Sequence, residues 1–312
     1  MRETFLDCPS FMQASTAVSN KAATVAVLSG KGGTGKTLVA VNLATVADEA
    51  VYVDCDVEGP NGHLFFRPAL SDEEVVTVKV PEIDADRCTG CRKCVDFCAF
   101  NALAFVRNMP FLFEEVCHSC GGCALVCPTK AIREVDRVVG TVSSGMSGNI
   151  AVHTGSLRIG DASGIPIIKR LLGKISSKEY RPIFIDCPPG SSCAVMESIQ
   201  DADFCVLVAE PTVFGAHNLA MVHELVTLFG KPCGVVLNKC IEDGDANPSE
   251  AFCLENHVPI LARIPFDSEL GTLNSEGRII ARESERFHRL FASLLGNIEK
   301  EARHETALDP QR

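Results

Sequence analysis

Residues 24–47 read TVAVLSGKGGTGKTLVAVNLATVA. A short β-branched run, Thr24–Ser29, leads into a glycine-rich loop, and Leu38–Ala47 follows as a helix that is apolar on all sides and hence buried. Between them Gly30 to Thr37 spell a complete G-x4-G-K-T phosphate loop. Gly30, Gly32, Gly33 and Gly35, with Thr34 among them, let successive backbone N–H groups point into one anion site, and the following helix adds its N-terminal dipole. Lys36 supplies a point charge to the β- and γ-phosphates, and the Thr37 hydroxyl completes Mg²⁺ coordination. Strand, loop and helix stand in the required order, so ATP is the expected ligand.

Working outward, Val51–Asp54, Ile183–Asp186, Phe204–Val208, Gly234–Leu237 and Pro259–Ala262 read as further strands. Helical stretches near Ser191–Gln200, Ala216–Leu228 and Ser284–Ala302 separate or follow them. This alternation predicts an α/β fold with a doubly wound, mainly parallel sheet and ligands at the strand C-terminal ends. The core is discontinuous, residues 23–81 and 141–302, with residues 82–140 inserted; 140–166 reads as a return linker plus one or two edge strands. Residues 303–312 read as a tail. Residues 1–22 carry Glu3 and Asp7, lack the apolar stretch of a secretory signal, and read as a disordered extension. An early start codon, with Met12 as the true start, is the plainer explanation.

The insert holds Cys88, Cys91, Cys94 and Cys98 at C-x2-C-x2-C-x3-C spacing, repeated at Cys117, Cys120, Cys123 and Cys127, with Pro128 next. That is the ligand pattern of a bacterial two-cluster ferredoxin, in which the distant fourth cysteine ligates the other cluster. One [4Fe–4S] cluster would use Cys88, Cys91, Cys94 and Cys127; the other, Cys98, Cys117, Cys120 and Cys123. Four-cysteine zinc sites are the alternative, and two matched runs at ferredoxin spacing weigh against it. Ala99 stands where a ferredoxin often has proline, and His118 reads as a spacer whose hydrogen bonds tune its cluster. So small an insert needs metal to fold.

The chain has sixteen cysteines and a net charge of −11. Residues 82–140 hold seven basic and eight acidic side chains, so the acidity lies in the body and argues against DNA as a partner. No apolar run approaches membrane-spanning length. Free thiols and metal fit a reducing, anaerobic cytoplasm better than disulfides do. The cysteines outside the two runs read as small buried hydrophobes.

Lys31, directly after the first glycine, makes the loop KGGTGKT. Here the chain resembles the deviant phosphate-loop ATPases, the MinD/ParA/Mrp group and the nitrogenase iron protein (SIMIBI-type P-loop NTPases), over about Ala23 to Pro265 apart from the insert. The resemblance implies that Lys31 crosses to a partner's ATP in a nucleotide-sandwich homodimer. It implies that Asp56, in Asp54-Cys55-Asp56, positions or activates the attacking water and helps hold Mg²⁺. Asp186, opening Asp186-Cys187-Pro188-Pro189-Gly190, would hold Mg²⁺ through water, and the Gly190 N–H would sense the γ-phosphate. Asn238, Pro265 and Asp267 fall where the family binds adenine, with strand-end cap or turn as the competing reading for Asn238 and Asp267. Cys193, seven residues after Asp186, matches the offset of a dimer-bridging cluster ligand in the nitrogenase iron protein; inert packing is the alternative. The C-terminal helix carries Phe287, Leu290, Phe291, Leu294, Leu295 and Ile298 at helical spacing. In MinD such a helix binds membrane; its flanking acids here favour packing on the sheet.

An inserted ferredoxin in a MinD-like ATPase resembles the ferredoxin-containing nucleotide-binding ATPases of anaerobes. The implied function is ATP hydrolysis coupled to electron transfer or to assembly of a metallocofactor protein, with a redox or metallocofactor-binding protein as partner. The alternative is a MinD/ParA-like positioning ATPase whose clusters sense redox state.

Overall fold

The computed structural model describes residues 23–175, 179–241 and 247–308. The expectations for residues 1–22 lie outside these. β1 (Thr24–Leu28) is buried throughout, and α1 (Lys36–Val46) is buried from Leu38 to Ala44, as an all-apolar helix must be. β2 (Ala50–Asp54) and the short α2 (Gly62–Phe66) lead to β3 (Ala69–Ile83). The cysteine segment holds α3 (Lys93–Phe97), the hairpin β4 (Leu103–Val106) and β5 (Met109–Leu112), and α4 (Gly122–Leu125). The chain returns through β6 (Ile132–Ser147), β7 (Ile150–Leu157) and α5 (Ile165–Lys174). β8 (Ile183–Asp186), α6 (Cys193–Ile199), β9 (Phe204–Ala209), α7 (Val213–Leu228), β10 (Cys233–Cys240), α8 (Pro248–Glu255) and β11 (Ile260–Pro265) follow. Three helices close the chain: α9 (Ser268–Ser275), α10 (Ile280–Glu283) and α11 (Glu285–Leu308).

The described strands form a nine-stranded sheet in the order β11-β10-β9-β1-β8-β2-β7-β6-β3, with β4 and β5 apart. Neighbours from β11 to β7 are parallel, whereas β6 runs antiparallel to both β7 and β3. One face packs on α1 and α11 through Leu43, Phe184, Phe287, Phe291 and Leu294; the other packs through Ile167, Leu171, Ile185, Ile199 and Leu219. The apolar stripe of α11 is therefore spent on the core. Among the described residues no helix is long and apolar enough to cross a membrane.

Residues 140–166 hold the two strands expected of them, but neither lies at the sheet edge. β7 is an inner strand, level with β2, and the helix α5 follows it. β3 and β6 make a long ribbon. Gly140 pairs with Leu157 at the end of β7, so residues 77–83 and 132–138 run on past the sheet. Because β3 is parallel in direction to β2, they leave at the C-terminal edge, the edge from which the phosphate loop rises. At the register shift beside Val76 and Thr77 the spare Val139 carbonyl accepts the Arg158 N–H at 2.8 Å.

At the ribbon's far end the backbone repeats itself at an interval of 29 residues. Left-handed conformations at Gly90, Arg92 and Asn101 recur at Ser119, Gly121 and Lys130. The Cys98 N–H to Val95 O bond recurs from Cys127 to Ala124, and the Phe113 to Ala102 bond matches that from Asp84 to Ala131. The cross-strand pair Leu103 with Leu112 matches Ile132 with Ile83. The cysteine repeat is thus a repeat of structure.

Candidate functional site

The phosphate loop leaves β1 beside the ends of β2 and β8, whose last residues, Asp54 and Asp186, pair in register. Gly33 and Gly35 take positive φ, 78° and 100°. A side chain at Gly35 would also place its Cβ 2.2 Å from Asn238 Nδ2. Only glycine suits that position.

Lys36 is buried, with Nζ 3.7 Å from Asp56 Oδ2 and 3.9 Å from Asp186 Oδ1. Asp186 Oδ2 accepts the Tyr52 hydroxyl at 3.1 Å, whereas Asp186 Oδ1 is buried without a hydrogen-bond partner. Burial pushes the Asp186 carboxyl up, against the pull of Lys36 and the Thr37 and Tyr52 hydroxyls. Burial likewise raises Asp56, with Lys36 opposing. Asp54 is a buried organiser: its carboxylate accepts N–H bonds from Asp56, Asn61 and Gly62 at 3.2, 3.1 and 2.9 Å. Burial first, then the charge of Asp186, raises it well above the ordinary range. Buried carboxylates around one lysine, with an unpartnered oxygen among them, suit a divalent cation beside a phosphate. Thr34 Oγ1, also buried and unpartnered, is a second vacant polar group in the loop.

The remaining expected residues are engaged within the chain. The Gly190 N–H donates to Ser29 O at 2.9 Å, at a φ of 90°. Asn238 Nδ2 donates to Thr34 O at 2.6 Å and ties β10 to the loop. Asp267 caps α9 through the Glu269 and Leu270 N–H groups and pairs with Arg286 at 3.1 Å. These are the cap and strand-end contacts that competed with an adenine role. Pro265 ends β11 beside Cys240. Cys193 is exposed at the start of α6, while Cys55, Cys187, Cys205 and Cys253 are buried.

Two residues of this end went unread in the sequence. Glu210 follows β9 and receives both Lys31 and Lys239, each at 2.5 Å, and Lys239 Nζ also donates to Gly33 O at 3.0 Å. A charged residue just past the end of a buried parallel strand was the available signal.

The cysteines gather into two sets. Cys88, Cys91, Cys94 and Cys127 line one pocket, partly open to solvent, with Pro110, Thr129 and Ile132. Cys98, Cys117, Cys120 and Cys123 line another. Each set takes its fourth cysteine from the other run. The Cys127 sulfur, despite the upward push of its burial, is held below the ordinary thiol range by N–H groups such as that of Ala131, 3.3 Å away. Burial pushes Cys123 up to about 11. Phe100 stacks on His118 at 3.8 Å over the second cavity. Among the described residues no three His, Cys, Asp or Glu side chains converge where a single ion could bind.

The family model for the CobQ/CobB/MinD/ParA nucleotide-binding domain matches residues 25–280. The chain belongs to that family. An uncharacterized protein of Methanocaldococcus jannaschii is 30% identical over 249 residues, 77% of this chain and 86% of its own length. The fold is similar to that of the cell division ATPase MinD of Pyrococcus furiosus, at TM-score 0.56 and 20% identity, covering 89% of this chain and 99% of that one. It is similar to MinD of Pyrococcus horikoshii, solved with Mg-ADP, at TM-score 0.56 and 19% identity, covering 90% and 97%. The phosphate loop, Lys36, Asp54, Asp56 and Asp186 all lie within the stretch that the nucleotide-binding domain of this family covers.

Proposed function

We propose that this protein is an ATP-hydrolysing, homodimeric iron–sulfur protein that couples its nucleotide switch to electron transfer or to assembly of a metallocofactor protein. The observation that carries the reading is the sorting of eight cysteines into two four-thiol cavities at ferredoxin spacing, on a ribbon leaving the nucleotide edge. Such clusters supply one-electron chemistry when bound. Cys88, Cys91, Cys94 and Cys127 would hold one; Cys98, Cys117, Cys120 and Cys123 the other. N–H···S contacts such as that from Ala131 to Cys127 favour the thiolate and tune potential.

At the nucleotide end, Thr37 and Asp186 would hold Mg²⁺, and the unpartnered Asp186 Oδ1 is the atom with free capacity for a cation or its water. Asp56, the more exposed partner of Lys36, would orient an attacking water. Hydrolysis then rests on positioning and charge, not covalent catalysis by the chain. Lys31, lying on Glu210 in the single chain, would reach a partner's phosphates in the dimer. Asn238, Pro265 and Asp267 flank the end of β10 and β11, where adenine would lie.

A positioning ATPase with redox-sensing clusters is the second reading. Likeness alone favours it: solved neighbours include cell-division MinD and, at TM-score 0.52, McdA of Cyanothece with ATP. The paired cysteine cavities are what that likeness does not explain. An anaerobic EPR-monitored redox titration, with and without MgATP and with Lys36→Ala, tests both. About eight irons per chain and an ATP-dependent shift lost in the variant would support coupling. Protein without iron would end the iron–sulfur reading.

A further inference from the structure

The two cysteine sites repeat each other in backbone yet differ in their ties to the nucleotide end. The described hydrogen bonds and ion pairs of the first loop stay inside the module: Cys88 N–H to Asp84 O, Arg92 with Asp96, and Arg92 over the Phe105 ring. The second loop is joined to the core. Ala162 N–H donates to Glu115 O at 3.2 Å, in the 3₁₀ turn Glu114–Val116 that enters Cys117.

The segment carrying Ala162 begins beside Asp56. The Leu157 N–H donates to Val57 O at 2.8 Å, and the next N–H, that of Arg158, holds the spare Val139 carbonyl of the ribbon. The Val57 side chain is buried between Gly155 and Gly164, where an added Cβ would lie 2.7 and 2.3 Å from its methyl groups. There is no slack for Val57 to move without them. Asp161 then makes an ion pair with Arg137 of the ribbon, with the side chains 3% and 10% exposed. Separating a charge pair so buried would leave each charge without a partner, which ties the segment to the ribbon.

We propose that residues 157–164, locked to the ribbon by Arg137 and Asp161, transmit the position of Asp56 to the second cysteine loop only. The site of Cys98, Cys117, Cys120 and Cys123 then answers to bound nucleotide, and that of Cys88, Cys91, Cys94 and Cys127 does not. The inference rests on the proposed nucleotide switch. Arg137 and Asp161 are positioning residues in it, touching neither nucleotide nor thiol site. Nucleotide biases the element because Asp56 faces Lys36 and the cation position, and a ligand shifts only what it binds differently.

Hydrogen exchange read by mass spectrometry on the full-length anaerobic protein, with and without Mg²⁺ and a non-hydrolysable ATP analogue, tests this. The expected result is a change of about threefold or more in exchange at 157–164 and 114–120, with 84–92 unmoved. Asp161→Asn and Arg137→Met should abolish the change at 114–120 and keep that at 54–62, while Arg137→Lys should retain both. Protection of β1 and β8 reports that each variant is folded. Equal responses in the two cysteine loops, or a response at 54–62 that stops short of 114–120 in the unaltered chain, would overturn the proposal. Silence at 54–62 would overturn it together with the nucleotide reading. Iron analysis on the same samples separates the two ideas: iron-free protein whose 114–120 still responds supports the coupling and removes the clusters.

Discussion

The nucleotide end and the cysteine module are built on opposite economies of burial. Around the phosphate loop every strand from β11 to β7 has a helix layer over it, and even Asp54 and Asp186 are wholly buried. The module's own cluster of buried residues is Cys94, Leu103 and Ile132, one of them a candidate ligand. Phe97, Phe111, Phe113 and Leu125 lie half or more exposed close by, or nearly so. Each fully buried aliphatic or aromatic side chain contributes about 1.5–3 kcal/mol, so the nucleotide end holds its shape by packing. The module must be held by something else. The same carbonyl and N–H pattern appears twice within it, and what both copies surround is four thiols.

The sharpest way to break this contrast is to remove iron. Chelation under reducing conditions is expected to leave β1, β8 and β9 protected from hydrogen exchange while 84–131 loses protection entirely, as in small domains whose metal-binding energy is folding energy. A module that stayed protected without metal would place its stability in packing and void the comparison.

The contrast also explains what could be read in advance. β1, β8 and β9 are continuous apolar runs because both sheet faces are covered, and the glycine-lysine loop can serve few other ends. β3 begins ALSDEEVV and sits at the sheet edge, where acids such as Asp72 and Glu74 meet Lys174 and Arg170, so its sequence resembles a solvated loop. β7, with Gly155 between Thr154 and Ser156, resembles a linker for a related reason: Gly155 is small because Val57 and Ile167 fill its space. Cysteine spacing named in advance which four thiols line each pocket, since a fixed loop geometry dictates the spacing. Glu210 could not be assigned to Lys31 from the sequence, because that pairing exists only once β9 and the loop are side by side.

Two glycine substitutions sharpen the comparison, because both added methyl groups would collide at about the same distance. At Gly35 the Cβ would lie 2.2 Å from Asn238 Nδ2, a buried amide bonded to Thr34 O, and φ is 100°. At Gly122 it would lie 2.0 Å from the ring of Phe97, which is half exposed and free to swing outward. Gly35→Ala is expected to cost about 1–3 kcal/mol of stability and to lose nucleotide binding by roughly a hundredfold, the loss of about two charge-assisted hydrogen bonds. Gly122→Ala should cost about 1 kcal/mol, with nucleotide affinity unchanged. Thermal melts and nucleotide titration measure both. Equal costs would mean that the module is as rigid as the loop.

The smallest expected effect lies in the electrostatics of the nucleotide end, at Glu210. Its burial pushes the carboxyl up, but hydrogen bonds and charge from Lys239 and Lys31 outweigh this and hold it below the ordinary range. A carboxylate depressed in the folded state stabilises above its unfolded-state pKa and loses that contribution as pH falls through the lower, folded value. The lysine side chains are 38% and 43% exposed, so solvent screening limits the effect to about 1 kcal/mol or less. Glu210→Gln should therefore melt slightly lower at neutral pH and match the unaltered chain in acid. The same change releases Lys31 from its resting partner. If that lysine must leave Glu210 to reach a second chain's phosphates, the variant should associate at lower MgATP in sedimentation equilibrium. Association that stayed equal or weakened would show that Glu210 does not compete for Lys31, and that the pair belongs to the scaffold of the loop.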